Sequence, residues 1–252
     1  MKTKKSYRTL LLLGTAAVSI FGTMQGFSAS YVLVSGGSLS TGAGWQNTAT
    51  LTTGTVPTSG DTGSIAVDGV FTPATWNTGG ASIIQTAGNI VGSGNANFNF
   101  VTGTYTMNGG SFSARGILAN NSIINLFGGV FTIGNGTSGS GWGAANNGTL
   151  NIGGSAVINN SRSTLAGYNS TSGTINFAAD WTGSFQNTTA NAAAWKTELT
   201  TGNYELAGTP ITSALFDANF QVTGDTLSLV PEPTSAALLG LGGFALILRR
   251  RK

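Results

Sequence analysis

Seven carboxylates lie between Ser30 and Val230: Asp61, Asp68, Asp180, Glu198, Glu205, Asp217 and Asp225. Hydrolysis of a glycosidic bond needs two of them facing each other, about 5 to 10 Å apart. Two pairs are close enough in sequence to be considered, Asp61 with Asp68 and Asp217 with Asp225. Each stands near a turn or the chain end, where short acids are common in any case. No carboxylate occurs from Val70 to Ala179. His and Cys are absent, which removes the commonest general base and the thiolate metal ligands and rules out disulfides. No phosphate loop, metal motif or calcium repeat is present, and the glycines around Asn135 open no helix. The expectation is no catalytic site, no metal and no cofactor. Trp142, Tyr168 and Trp181 could form a sugar-stacking surface, although solitary aromatics suit core or edge filling better.

The formal net charge of +3 is misleading, because the charges are segregated. Lys2, Lys4, Lys5 and Arg8 stand at one end, and Arg249, Arg250, Arg251 and Lys252 at the other. Between Ser30 and Leu248 only Arg115, Arg162 and Lys196 are basic against all eight acids, a net charge of −5. That stretch has no basic patch to displace counterions from phosphates, which excludes a nucleic-acid binder. Charged residues make up 8% of the chain and Gly 39 positions. Low charge argues against ordinary disorder but leaves a Gly/Ser/Thr/Asn-rich low-complexity chain open.

Both ends are addressed to a membrane. At the N-terminus four positive charges precede an apolar run, Leu10 to Phe21, and small residues follow at Gly26, Ser28, Ala29 and Ser30. This is the three-part pattern of a secretory signal spanning residues 1–30, read by the Sec translocon and signal peptidase. Cleavage after Ser30 puts Ser28 and Ser30 at the small-residue positions, whereas cleavage after Ala29 puts Phe27 at the outer one. Twelve apolar residues are short for an uncleaved anchor.

The C-terminal segment, residues 230–252, reads Val230-Pro231-Glu232-Pro233, then Thr234-Ser235, an apolar run from Ala236 to Leu248, and Arg249, Arg250, Arg251 and Lys252. Thirteen residues of helix reach about 20 Å against a hydrocarbon core of about 30 Å. Gly240, Gly242 and Gly243 weaken that helix further. The run is a marginal transmembrane helix suited to transient insertion, with its basic stop held in the cytoplasm. The two prolines keep the preceding strip extended, as a processing enzyme requires. This tail resembles the PEP-CTERM sorting domain over about its last 23 residues. The resemblance implies export, processing by an exosortase-type membrane enzyme at Pro231, Glu232 and Pro233, and a Gram-negative host that makes exopolysaccharide.

Between the ends, strand-sized phrases recur. Thr75-Trp76-Asn77-Thr78, Tyr105-Thr106-Met107-Asn108, Ile124-Asn125-Leu126-Phe127 and Thr149-Leu150-Asn151-Ile152 each run into Gly-Gly and a second short alternation. A fifth phrase, Thr174-Ile175-Asn176-Phe177, is followed by Ala178-Ala179. Period two buries one face, and glycine permits a sharp bend. Recurrence near 25 residues predicts an all-β, right-handed parallel β-helix over residues 73–187, with Asn and Thr stacked as ladders. An antiparallel β-sandwich with Gly-Gly hairpins is the alternative.

Residues 31–72 read as an N-terminal cap with the first strands. Trp45 and the Pro57-Thr58-Ser59-Gly60-Asp61 turn are similar to the opening of autotransporter-like β-helical repeat proteins. Residues 188–229 read as a C-terminal cap with one helix, Ala190 to Leu199, and strands at Asn203 to Ala207, Phe216 to Val222 and Thr226 to Leu229. β-helical polysaccharide lyases use clustered acids and a Lys or Arg base, but Arg115 and Arg162 have no acid near them in sequence. The expectation is an exported surface or matrix structural protein associated with exopolysaccharide. A polysaccharide-binding or polysaccharide-cleaving β-helix is the alternative.

Overall fold

The computed structural model describes residues 28–72, 75–92, 97–134, 142–161, 168–169 and 172–230. The predicted signal helix and transmembrane helix lie outside these residues. Among the described residues, no helix is long and apolar enough to cross a membrane.

The chain winds as a parallel β-helix with three sheets. Sheet A stacks Ser30–Leu33, Thr62–Ile65, Ser82–Gln85, Thr104–Met107, Ile123–Leu126, Thr149–Ile152, Thr174–Phe177 and Tyr204–Leu206 in parallel. Sheet B stacks Gly37–Ser38, Gly69–Phe71, Asn89–Gly92, Ser111–Ala114, Val130–Ile133, Val157–Asn160 and Ser184–Asn187. Sheet C holds Thr75–Asn77, Asn97–Val101, Gly116–Asn120, Trp142–Ala145 and Tyr168–Asn169. Successive strands visit A, B and C in turn, and each pairs in parallel with its counterpart one coil away. Hairpins of a sandwich would pair antiparallel with their sequence neighbours. Pairing along sheet A gives coils of 20, 22, 19, 26 and 25 residues from Thr62 to Thr174.

The Gly-Gly corner between sheets A and B is where the backbone is most constrained. Gly88, Gly110 and Gly129 have φ of 79°, 77° and 78°. A Cβ on Gly110 would stand 2.4 Å from the Gly88 carbonyl oxygen, and one on Gly129 would stand 2.4 Å from that of Gly110. The same carbonyls accept hydrogen bonds from Ser111 N–H at 2.9 Å and Val130 N–H at 3.0 Å. Each corner thus nests on the one below. Three residues make this corner in four consecutive coils, whereas the B-to-C connections range from the single Arg115 to residues 134–141. The uneven coil lengths come mainly from that second corner.

One phrase sits differently from its reading. Thr75–Asn77 is a sheet C strand, and Gly79-Gly80 turns it into sheet A, so the counterpart of Tyr105 one coil back is Ile83. Alternation followed by glycine looks the same at either corner and does not encode which sheet is meant.

Inward-facing residues form one continuous core. Phe71, Phe98, Phe112 and Phe131 run along it, with Phe112 stacked on Phe131 at 5.2 Å between ring centres. Both ends are closed. At the first coil Trp45–Asn47 pairs antiparallel with Ser30–Leu33, and the fully buried Trp45 donates its indole N–H to the Leu39 carbonyl at 2.8 Å. At the last coil α1, Ala192–Thr201, starts at Asn191, whose side chain accepts from Ala194 N–H at 3.0 Å. Trp195 and Leu199 of α1 are buried. A second helix, α2 (Ser213–Asn219), occupies the start of the stretch expected as the strand Phe216 to Val222. Thr212 caps it by accepting from Leu215 N–H, and Phe216 stacks on Phe220 across one turn. The strand begins only at Phe220.

Candidate functional site

Five of the seven carboxylates, Asp61, Asp68, Glu198, Asp217 and Asp225, are engaged in structural contacts. Asp61 closes its own turn by accepting from Thr58 N–H at 2.9 Å and the Thr58 hydroxyl at 3.1 Å. Asp68 accepts from Asn89 N–H one coil on, at 2.8 Å. Asp217 pairs with Lys196 at 2.6 Å, tying α2 to α1. Asp225 accepts from the Gln186 side chain and the Thr226 hydroxyl. The Tyr204 hydroxyl donates to Glu198. Among the described residues, no hydrogen bond or common partner links Asp61 to Asp68 or Asp217 to Asp225. Arg115 forms the tight corner between Ser111–Ala114 and Gly116–Asn120, and Arg162 lies outside the described residues.

Two of the three residues suggested as an aromatic sugar platform are not on the surface. Trp142 is buried and packs edge-on against Phe185 at 4.5 Å. Trp181 is buried too, and donates its indole N–H to the Ala156 carbonyl at 2.9 Å. Tyr168 belongs to the sheet C strand Tyr168–Asn169. Bulky aromatics at inward phases of a β-helix fill its core, because that is where the apolar area can be buried.

What the fold does display is the outer face of sheet A. One rank along it is Thr62, Ser82, Thr104, Ile123, Thr149 and Thr174. Beside it runs Ser64, Ile84, Thr106, Asn125, Asn151 and Asn176. From Thr106 onward the second rank is a hydrogen-bonded ladder, the arrangement expected of the matching Asn and Thr phases. Asn125 Nδ2 donates to Thr106 Oγ1 at 3.1 Å, Asn151 to Asn125 Oδ1 at 2.9 Å, and Asn176 to Asn151 Oδ1 at 3.2 Å. Gly208 N–H then closes on Asn176 Oδ1 at 3.0 Å. Neither rank contains a charge.

A polar node inside the core escaped the sequence reading. The fully buried Tyr105 donates its hydroxyl hydrogen to Gln85 Oε1. Gln85 Nε2 in turn donates to the carbonyls of Gly88 at 3.2 Å and Ser111 at 3.1 Å. Burial pushes the Tyr105 phenol well above its ordinary range. The signal was a Gln at the inward phase of Ser82-Ile83-Ile84-Gln85.

At the two chain ends the structure is direct about what it holds. Ala29 and Ser30, named as the cleavage positions, are both built into the first coil: the Ala29 carbonyl accepts from Thr62 N–H at 2.9 Å and that of Ser30 from Thr48 N–H at 2.9 Å. At the other end Val230 N–H donates to the Asn219 carbonyl at 2.8 Å, on the rim of a cleft of about 450 Å³ that Asp180, Thr182, Gln221 and Ser228 also line. Pro231, Glu232, Pro233, Arg249, Arg250, Arg251 and Lys252 lie beyond the described residues.

No curated protein and no solved structure matches the chain. Residues 229–252 match a family model described as the PEP-CTERM protein-sorting motif. The β-helix ends where that match begins, so the chain carries a PEP-CTERM tail, the mark of an exported protein that is anchored transiently in the membrane and sorted by an exosortase-type enzyme.

Proposed function

We propose that this protein is a non-enzymatic structural component of the cell surface or extracellular matrix of a Gram-negative bacterium. The Sec translocon exports it, signal peptidase removes its leader, and an exosortase-type enzyme acts at Pro231, Glu232 and Pro233. The observation that carries this reading is the direct join at Val230 between a capped β-helix and the sorting motif. Only residues 231–235 separate the body from the apolar run at Ala236. Fully extended, five residues span at most about 18 Å. While the tail is inserted, the helical cap is therefore the end of the body nearest the membrane. The basic stop Arg249 to Lys252 holds the segment against full translocation until it is processed.

Association with exopolysaccharide is part of the same proposal. The two uncharged ranks on sheet A offer hydroxyls and amides spaced at about 4.8 Å from coil to coil, interrupted by the exposed Ile84 and Ile123, and they suit a neutral polysaccharide lying along the axis. Co-sedimentation with the exopolysaccharide of the native host tests this. Asn151→Lys together with Thr149→Lys should weaken it severalfold, while undiminished binding would remove sheet A from the account. Polysaccharide cleavage is the competing reading, and a lyase or hydrolase activity lost on Asp217→Asn or Asp225→Asn would establish it instead.

A further inference from the structure

Asp61 is 9% exposed, and among the described residues no ion pair reaches it. A buried carboxylate in that position is costly unless its oxygens are satisfied. Thr58 supplies the two donors to Oδ2 described above. The donor to Oδ1 is the backbone N–H of Ala29, at 2.9 Å. Ala29 is also where the fold first grips the chain: its carbonyl receives Thr62 N–H, its methyl group packs on the core, and Ser28 before it is exposed.

Cutting after Ala29 would take the donor away from Asp61 and the acceptor away from Thr62. Cutting after Ser30 would also remove the first residue of sheet A, whose hydroxyl accepts from the Thr62 hydroxyl at 3.1 Å. The bond between Ser28 and Ala29 has small residues in the required places, Gly26 and Ser28 on either side of Phe27. Hydrolysis there adds water across the peptide bond. Ser28 leaves with the carboxylate on the signal fragment, and the Ala29 nitrogen takes up a proton to become an α-ammonium, charged at neutral pH.

We infer that signal peptidase cuts between Ser28 and Ala29, and that the Asp61 carboxylate captures the new α-ammonium of Ala29. The contact, whose donor is a neutral amide in the precursor, becomes an ion pair between two charged groups in the mature protein. The Pro57-Thr58-Ser59-Gly60-Asp61 turn is then a receptor for the chain's own processed end, and maturation stabilises the first coil. This rests on the export reading.

N-terminal sequencing and intact mass of the protein exported by its native host give the first test. A start at Ala29 is expected. A start at Ser30, Tyr31 or any other internal residue overturns the inference and leaves export standing, whereas a start at Met1 overturns both. The second test is the rate at which the α-amine is acylated near pH 8. The exported wild type should react roughly fivefold more slowly than Asp61→Asn, the effect near pH 8 of about one unit in the amine's pKa. Equal rates overturn the capture. Comparing the folded wild type with the same protein in urea needs no variant, and equal rates there overturn it as well.

Discussion

At Gly110 two constraints coincide, a positive φ and a Cβ position 2.4 Å from the Gly88 carbonyl. Gly208 separates them, since its φ is 76° but nothing lies within 4 Å of a Cβ built there. The left-handed conformation alone costs an ordinary residue about 1–2 kcal/mol. Gly208→Ala should therefore destabilise by about that amount, and Gly110→Ala by clearly more, measured by urea unfolding. Equal costs would show that the corners do not nest. Tyr105 offers a second residue-level test through pH. Its folded pKa is raised by burial, so its contribution is intact below pH 10, the ordinary value, and is lost as pH rises above that, because the unfolded chain ionises first. Tyr105→Phe should remove this part of the alkaline loss. At neutral pH it should cost about 1–3 kcal/mol for leaving Gln85 Oε1 unpartnered. A variant with an unchanged alkaline slope would contradict the assignment. The asparagine ladder was legible beforehand, because Asn125, Asn151 and Asn176 hold the same phase in similar phrases. The Tyr105–Gln85 contact was not, because the residues stand on different coils and nothing local joins them.

Among the elements, the strands of sheets A and B were readable where glycine pairs punctuate a constant three-residue corner. Of sheet C only Thr75–Asn77 was readable, since its other strands follow connections of changing length and Gly116–Asn120 follows its neighbour after a single residue. The helical cap was half legible. Ala-rich content and the Trp195/Leu199 spacing marked α1, whereas Phe216 and Phe220 suit a helix and a strand equally until Thr212 is seen to cap a helix. The caps also close the edges at which an open β-helix would add another copy. Trp195 is fully buried against Phe185, so Trp195→Ala should cost about 3–5 kcal/mol. Removal of residues 188–230 should convert the protein into higher oligomers on size-exclusion chromatography. A truncated form that stays monomeric would deny the cap its role.

Over the whole molecule, the sequence divides into a body and two ends proposed as addresses, and the charges follow that division. The cationic ends belong to the addresses, and the body between them is acidic and built on stacked coils. Sorting was legible because membrane signals depend on local order, with the Pro-Glu-Pro strip, the short apolar run and the basic stop each in place. The proposed processing removes the tail once the body is outside. Intact-mass analysis of surface-exposed protein from the native host addresses it most directly. The predicted product has lost residues 236–252. Recovery of a chain ending at Lys252 from the surface would contradict the account.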